Sequence, residues 1–524
     1  MTFPAHDWSL GTEQLLCASG DSRHTVGPSG TNRYGNRYTP EPGLLSYGSC
    51  TSSTISQVAF DAADRLHGWL RALDPDVLEQ SVDDLYERVR TELVANIAMT
   101  SASAVDVVVC PSGTDAEHIP LLVALAEAPR VTTVLVGAAE AGSGTTHAAR
   151  GDHFDLTAPS GRVLEAGTPV DPATGERVRL QRVTIRDPRG TARDEADIDA
   201  EVRSVVEAAL AEGDHVLVHV IAHSKTGVHA PSLGLVHDLV RQYPQRVDVV
   251  LDAAQGRFSR HGLLGSLQRG FMVMVTGSKF FGGPPFAGAV LVPHVRAGGH
   301  ALPTEVPAGF SDYLVPAMLP RSWSRARASL PPGLALGVLM RWWAALAEIR
   351  DYYSVPAALR LEVLRRFQQV VPEIVAGTEH LELSTVPPPP SRQDDATRLL
   401  ESNTTVFPFT CRAPDGRRLG MEELREVARA LRFGSAEDDR LPEDLATLRA
   451  ELGQPVQLAR EGGDLAVLRI ALGGRDIIRA CVAPDAGPTV ADRLEHLSRE
   501  VALVLRKADA LVGLVPAPVP ETVR

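Results

Sequence analysis

The sequence has little lysine, little cysteine and no long apolar run. Only three of its 52 basic residues are lysine, namely Lys225, Lys279 and Lys507. The five cysteines are far apart and form no Cys-x-x-Cys pair, which argues against a disulfide framework or a zinc knuckle. No stretch approaches the roughly eighteen apolar residues that span a bilayer, and the first residues lack the basic and apolar regions of a secretory signal. These absences predict a cytoplasmic protein that does not bind membranes.

Charge and length narrow the class of protein further. The 65 acidic and 52 basic side chains give a net charge of −13, which argues against a general nucleic-acid binder. A chain of 524 residues with 44% hydrophobic and 22% charged residues has ordinary globular composition. We predict an irregular N-terminal arm over residues 1–55, a large α/β domain over 56–330 and a C-terminal α+β domain over 331–524.

Short β-branched runs alternate with helical patterns in the first two thirds of the chain. The runs are AVDVVVC, VTTVLV, LQRVTI, HVLVHVIA, VDVVLD, FMVMVT and GAVLVP. Strands that are apolar throughout and alternate with helices indicate a parallel sheet covered on both faces. The last two runs follow each other too closely for a crossover helix, so we expect an antiparallel pair there. Ligands of such sheets lie at the carboxyl ends of the strands.

The segment after AVDVVVC is a candidate phosphate site. It reads Pro-Ser-Gly-Thr over residues 111–114, and Thr114 and Glu117 have the spacing of a capping box. Free amides at such a helix start attract a phosphate, although a merely well-capped helix is an equal alternative. Pro120 lies inside the expected helix and is expected to kink it.

A carboxylate and a lysine follow two other predicted strands. Asp252 is the last residue of VDVVLD. A buried carboxylate there needs a partner such as a protonated heteroaromatic nitrogen. Alternatively, Asp252 only caps a turn. Lys279 lies in TGSKFFGGPPF, between hydroxyls and phenylalanines. A desolvated amine with a lowered pKa is what Schiff-base chemistry requires, the alternative being an incidental surface lysine.

The three histidines of HVLVHVIAH are four residues apart, so on a strand they would all lie on the same face. Residues four apart on a strand are about 13 Å apart, which is too far for ligands of one metal ion. We therefore predict no metal site at His215, His219 and His223.

The order of a phosphate loop, Asp252 and, 27 residues later, Lys279 resembles that of the pyridoxal-phosphate (PLP) enzymes of fold type I. The likeness is to the class V aminotransferase and cysteine desulfurase group, in which Asp-x-x-Gln precedes a Ser-x-His-Lys segment. It covers residues 100–295 clearly and the rest of the chain more faintly. It implies a mainly parallel mixed α/β sheet, a smaller C-terminal α+β domain, PLP as cofactor and a homodimer.

The resemblance also implies roles for individual residues. Lys279 would form the internal aldimine and then move the proton, Asp252 would hold the ring nitrogen protonated, and Gln255 would bond the ring hydroxyl. The residues implied to bind the cofactor phosphate are Ser112, Gly113, Thr114, Thr276 and Ser278.

Other positions depart from the family pattern. Ser224 stands where the family has an asparagine against the ring hydroxyl, and His147 is the candidate for stacking on the ring. Arg469 in LRIALG resembles the arginine that clamps a substrate carboxylate, the alternative being a structural arginine. The position of the mobile desulfurase thiol, near residues 432–435, holds no cysteine, which argues against desulfurase activity.

Three functions stay open at this point. Amino-group transfer from an α-amino acid or derivative is our first expectation. A PLP-dependent lyase, a β/γ-replacement or a carbon–carbon bond-forming enzyme of specialised metabolism is the second. The third, from another class, is a binding module that keeps the fold without catalysis.

Overall fold

The computed structural model describes residues 10–98, 104–384, 405–434, 438–459, 465–482 and 487–516. These residues form two compact units that are interleaved along the chain. Unit 1 is drawn from Met1–Glu41, Ser52–Ile185 and Arg193–Tyr353, and unit 2 from Pro42–Thr51, Arg186–Ala192 and Ser354–Arg524.

The strands, numbered along the chain, are β1 (Leu44–Tyr47), β2 (Val105–Cys110), β3 (Val131–Val136), β4 (Val178–Val183), β5 (His215–Ile221), β6 (Val247–Asp252), β7 (Met272–Thr276), β8 (Gly288–Pro293), β9 (Leu381–Leu383), β10 (Val406–Cys411), β11 (Arg449–Ala459) and β12 (Leu465–Ala471).

The α-helices are α1 (Thr12–Cys17), α2 (Gln57–Arg71), α3 (Pro75–Leu93), α4 (His118–Glu127), α5 (Thr145–Ala148), α6 (Pro172–Gly175), α7 (Glu195–Ala211), α8 (Leu233–Gln242), α9 (Arg260–Gln268), α10 (Ser324–Ser329), α11 (Leu336–Ser354), α12 (Ala357–Ala376), α13 (Met421–Phe433), α14 (Glu443–Ala446), α15 (Gly474–Val482) and α16 (Val490–Gly513). Within the described ranges, none of the helices is both long and apolar enough to cross a membrane.

Unit 1 contains a seven-stranded sheet in the order β2-β8-β7-β6-β5-β3-β4. All of its strand pairs are parallel except those of β8, which runs antiparallel to β2 and β7. Strands β2, β3, β5, β7 and β8 are buried at every residue, whereas the edge strand β4 exposes its middle residues. The mainly parallel mixed sheet and its antiparallel pair are thus confirmed.

Unit 2 contains a second, five-stranded sheet in the order β1-β11-β12-β10-β9. Strand β1 is parallel to β11, and the other pairs are antiparallel. Helices α12 and α16 pack against each other in the same unit. This mixture of an antiparallel sheet and helices is the α+β arrangement expected of the C-terminal region.

The two units divide the chain differently from the expected boundaries. Nearly all of α11 belongs to unit 1, which continues to Tyr353 instead of ending near residue 330. Trp342 on this helix donates its indole N–H to the carbonyl of Gly288 at 2.8 Å, and a Cβ added at Gly277 would lie 2.6 Å from Ala345. The described part of the arm is shared, because residues 42–51 contribute β1 to unit 2.

Candidate active site

Asp252 and Lys279 lie at the same edge of the seven-stranded sheet. Asp252 is the last residue of β6 and is in register with Met274 of the parallel strand β7. Strand β7 ends at Thr276, three residues before Lys279. Both side chains are half-buried, and the carboxylate of Asp252 accepts a hydrogen bond from the amide of Ala254 at 3.0 Å. The register of two neighbouring strands therefore brings an acid and an amine to one end of the sheet.

The loop after β2 meets the loops after β6 and β7. A Cβ added at Gly113 would lie 2.9 Å from Cγ2 of Thr276 and 3.8 Å from the Cβ of Ala254. The Thr276 hydroxyl donates to the carbonyl of Ala254 at 2.6 Å. Glycine at position 113 is what allows this close approach.

Ser112 caps the segment that leads into α4. Its Oγ accepts hydrogen bonds from the amides of Thr114 at 3.1 Å and Asp115 at 3.2 Å, and donates to the Asp115 carboxylate. The chain then enters α4 through a 3₁₀ turn over Asp115–Glu117. The predicted capping box is wrong, because the buried Glu117 carboxylate lies 3.2 Å from Nδ1 of His219 instead of returning to Thr114.

Arg23 of the N-terminal arm reaches the same loop. Its guanidinium donates to Oγ of Ser112 at 2.8 Å and to Oγ1 of Thr114 at 3.0 Å. Sequence reasoning allowed the arm to reach the active site but gave Arg23 no role, since the arm lacks periodicity and Arg23 precedes Ser112 by 89 positions. Arg23 is thus a candidate site residue that only the folded chain reveals.

Other groups of unit 1 hold the Arg23 side chain in place. Its guanidinium lies over the rings of Phe154 and Phe286, at 5.2 and 4.8 Å from their centroids. The Asp21 carboxylate accepts from Nε at 2.8 Å and also from Nη2. Burial acts to raise the pKa of Asp21, but the Arg23 charge outweighs it and holds that pKa at about 2.

Asp115 is a buried acid at the loop, and it predicts a pH dependence of stability. Burial, followed by the charge of Asp21, raises its pKa from 3.8 to about 7. Because the pKa of Asp115 is higher in the folded than in the unfolded state, protonation of Asp115 stabilises the fold. This contribution is complete below about pH 4 and is lost as the pH rises through about 7. We expect the free energy of unfolding of wild type, relative to Asp115→Asn, to fall over that interval. Urea denaturation of cofactor-free protein at several pH values measures it, and a constant difference would contradict the prediction.

Ser224 lies in the loop after β5, whose last residue, Ile221, is in register with Asp252. Its hydroxyl donates to the Glu140 carboxylate at 2.6 Å, and the Thr226 hydroxyl donates to the same oxygen. The loop after β3 is thereby tied to the loop after β5. Contact of Ser224 with a ring hydroxyl stays a prediction.

Gln255 and Ser278 are both buried in unit 1. The side-chain oxygen of Gln255 accepts from Arg257 at 3.1 Å, and Arg257 lies over the ring of Phe280 with 5.6 Å to its centroid. These contacts fix the side-chain amide of Gln255 beside the loop that carries Lys279. Its bond to a ring hydroxyl stays a prediction.

His147 and Arg469 occupy different settings. His147 is exposed on α5, and a Cβ added at Gly167 would lie 3.4 Å from its ring. Stacking of His147 on a cofactor ring stays a prediction. Arg469 is 1% exposed within unit 2, where its Nε and Nη2 donate to the carbonyl of Gln454 at 3.2 and 2.6 Å. Its substrate role stays a prediction.

A buried acid–histidine pair lies behind Asp252. His219 is in register with Val250 of β6, so its side chain shares a sheet face with Asp252 two residues further on. Its partner Glu117 is 1% exposed, and burial, together with the charge of Asp252, raises the pKa of Glu117. Glu117 and His219 were each noted in the sequence, but their proximity could not be predicted because it depends on the packing of α4 over β5.

Comparison with known proteins establishes the fold. No protein-family model and no curated protein matches the chain. A solved structure of a C-DES mutant with glycine covalently linked to its PLP cofactor has a TM-score of 0.51 and 14% identity, over 88% of this chain and 99% of that one. The cysteine desulfurase CsdA from Escherichia coli has a TM-score of 0.48 and 12% identity, over 88% and 95%. Oryza sativa TDC with PLP has a TM-score of 0.47 and 14% identity, over 88% and 84%. The chain has the fold of the PLP-dependent enzymes of fold type I.

Proposed function

We propose that this protein is a PLP-dependent enzyme that acts on an α-amino acid or a derivative, by amino-group transfer. The observation that carries the proposal is the placement of Asp252 at the end of β6 and of Lys279 three residues beyond the end of the adjacent parallel strand β7. The sequence has only two other lysines, and one of them, Lys507, donates to two backbone carbonyls of unit 2.

The residues at this edge fit the three polar parts of PLP. An aldehyde needs an amine, which Lys279 supplies, and a ring nitrogen that carries a proton needs a carboxylate, which Asp252 supplies. A phosphate needs N–H and O–H donors, and the Thr114 hydroxyl supplies one beside the small residue Gly113. When bound, the cofactor supplies an electron sink for the bonds at the substrate α-carbon.

Lys279 is the proposed proton carrier. Its ε-amino group would hold the cofactor and, once released, take the proton from the substrate α-carbon and return it. The neighbouring Phe280 and Phe281 are each 1% exposed, and a Cβ added at Gly256 would lie 2.8 Å from the Cβ of Phe280. This tight apolar packing fixes the segment that directly follows Lys279.

Asp252 is the proposed partner of the ring nitrogen. The amide of Ala254 donates to its Oδ1 at 3.0 Å, which fixes the direction of the carboxylate. A negative charge held there favours a protonated ring nitrogen, and a protonated ring accepts electrons more readily. The Glu117–His219 pair on the same sheet face adds a second, buried polar layer.

The cysteines favour amino-group transfer over sulfur transfer. All five lie in described parts of the chain, and four of them are buried. Burial raises the pKa of the Cys17 thiol to about 12 and raises that of Cys411 well beyond its usual range. A sulfur-accepting thiol needs the opposite, a lowered pKa and access to substrate. Arg469 as ligand of the substrate carboxylate, and the homodimer, are proposed from the resemblance alone.

The test uses the full chain loaded with PLP and a panel of amino acids. Amino-group transfer is expected to convert the bound cofactor to its amine form and to release one equivalent of keto acid. Release of ammonia with the cofactor returned to its aldehyde form would favour the lyase alternative instead. A protein that takes up no PLP would contradict the proposal and favour a binding module.

A further inference from the structure

We propose that Arg23, on the N-terminal arm, is a ligand of the cofactor phosphate and completes the anion site begun by the loop after β2. This inference rests on the proposed function, because it assigns one more residue to the same cofactor. It concerns a segment to which the sequence resemblance gave no role.

The hydrogen bonds of Arg23 show how its side chain is aimed. Asp21 takes Nε and one N–H of Nη2, which fixes the plane of the guanidinium. The opposite edge points at Ser112 and Thr114. Because Oγ1 of Thr114 accepts from Arg23, the Thr114 hydroxyl keeps its own proton to donate. A phosphate at this edge would therefore meet an oriented O–H beside an oriented cation.

Burial makes this cation unusual for an irregular arm. Arg23 is 5% exposed, and two aromatic rings flank its guanidinium. A buried charge is retained at a cost unless it has partners of opposite sign. Asp21 is one such partner and Asp115, 3.9 Å from Nη2, is another when it is ionised; an anionic phosphate held by Thr114 would be a further one.

A second buried arginine adds positive charge and holds the arm. The side chain of Arg341 is fully buried on α11, and its charge reaches Asp115, since it acts to lower the pKa of that carboxyl. Its four hydrogen bonds go to neutral backbone carbonyls, those of Leu16, Ala18, Ser19 and Phe286.

The charges at the loop do not fully cancel in the absence of an anion. Arg23 and Arg341 carry two positive charges, Asp21 is ionised, and Asp115, with a pKa of about 7, is partly protonated near neutral pH. With Asp115 protonated the cluster has one excess positive charge, which favours an anion at the loop.

A purely structural role, in which Arg23 only ties the arm to the loop, makes a different prediction. Tying the arm would affect binding of PLP and of pyridoxal, which lacks the phosphate, to the same extent. A phosphate ligand would affect PLP alone. The decisive quantity is therefore the ratio of the two dissociation constants, measured by equilibrium dialysis on the full chain.

The neutral variant is Arg23→Gln, and the control is Arg33→Gln, a half-exposed arginine of the same arm. Loss of a charge-assisted hydrogen bond is expected to weaken PLP binding about 10- to 100-fold in Arg23→Gln, with pyridoxal binding within about twofold of wild type. Arg33→Gln is expected to match wild type for both ligands. Equal loss of both ligands, or unchanged PLP affinity, would overturn the proposal.

A second variant covers the case in which Arg23→Gln fails to fold. Arg23→Met removes the charge but keeps a long apolar side chain between the two rings, and it is expected to give the same ratio. Thermal unfolding of the cofactor-free variants checks that each is folded. If the wild-type protein binds neither ligand, the proposed function itself is overturned. If the wild type binds PLP but the variant leaves the ratio of the two dissociation constants unchanged, only the role of Arg23 is overturned.

Discussion

Replacement of Lys279 by alanine is expected to abolish the attachment of PLP that borohydride fixes, and to lower turnover about 10²- to 10⁴-fold through loss of the proton carrier. The reason is that Lys279 follows β7 at the sheet edge where the parallel strand β6 ends in Asp252. Mass spectrometry of the reduced, digested protein measures the attachment. Because the chain has three lysines, the labelled peptide identifies the residue directly.

The matched control is Lys225→Ala. Lys225 follows β5, one strand away from β6 in the same sheet, and is half-buried as Lys279 is. We expect this variant to keep both the label and most of the turnover. A label recovered on Lys225 or Lys507 of the wild-type protein would refute the assignment of Lys279.

Asp252→Asn is expected to lower turnover about 10²- to 10⁴-fold while PLP remains attached. A bound cofactor would cover the half-buried Asp252. Removing one partner of a charge pair buried in this way costs about 3–5 kcal/mol, and each 1.36 kcal/mol added to the barrier is a factor of ten in rate. The loss appears in turnover because the ring nitrogen must stay protonated to accept electrons. Steady-state kinetics and the absorbance spectrum of the bound cofactor measure the two effects separately.

Asp248→Asn is the control for this second prediction. Asp248 lies on the same strand and face, but at the other end, where it accepts from Arg296 at 2.9 Å and lies 3.1 Å from His215. We expect it to lower stability and leave the cofactor spectrum unchanged. A PLP analogue with carbon in place of the ring nitrogen should slow wild type as much as Asp252→Asn does, with no further loss in the variant. Additive losses would argue against the pairing.

The sequence was most informative about the seven-stranded sheet. Most of its strands are short, largely apolar β-branched runs, and all seven were predicted within two residues because such runs favour buried strands. Strand β11 was missed because Gly453 and Pro455 interrupt its pattern. The structure accommodates them with a register shift between Gly453 and Val456.

The site was predicted where chemistry follows a strand end, and missed where it depends on packing. Asp252 and Lys279 were found because strand ends converge at one edge of a parallel sheet. Pro120 was expected to kink its helix, yet it is the third residue of α4, where a proline lacks no helical hydrogen bond. Arg23 and the Glu117–His219 pair were missed because their partners are distant along the chain.

Strand β1 has a consequence for synthesis of the chain. Its partner in β11 is far away in sequence, with Leu44 in register with Arg449. At typical translation rates the ribosome needs roughly 20 to 80 s to make the residues between them, so β1 waits while unit 1 emerges. A fragment starting at residue 354 would leave one edge of β11 unpaired and open to another chain. Expression of unit 2 alone therefore needs residues 42–51 grafted back, for instance ahead of β9.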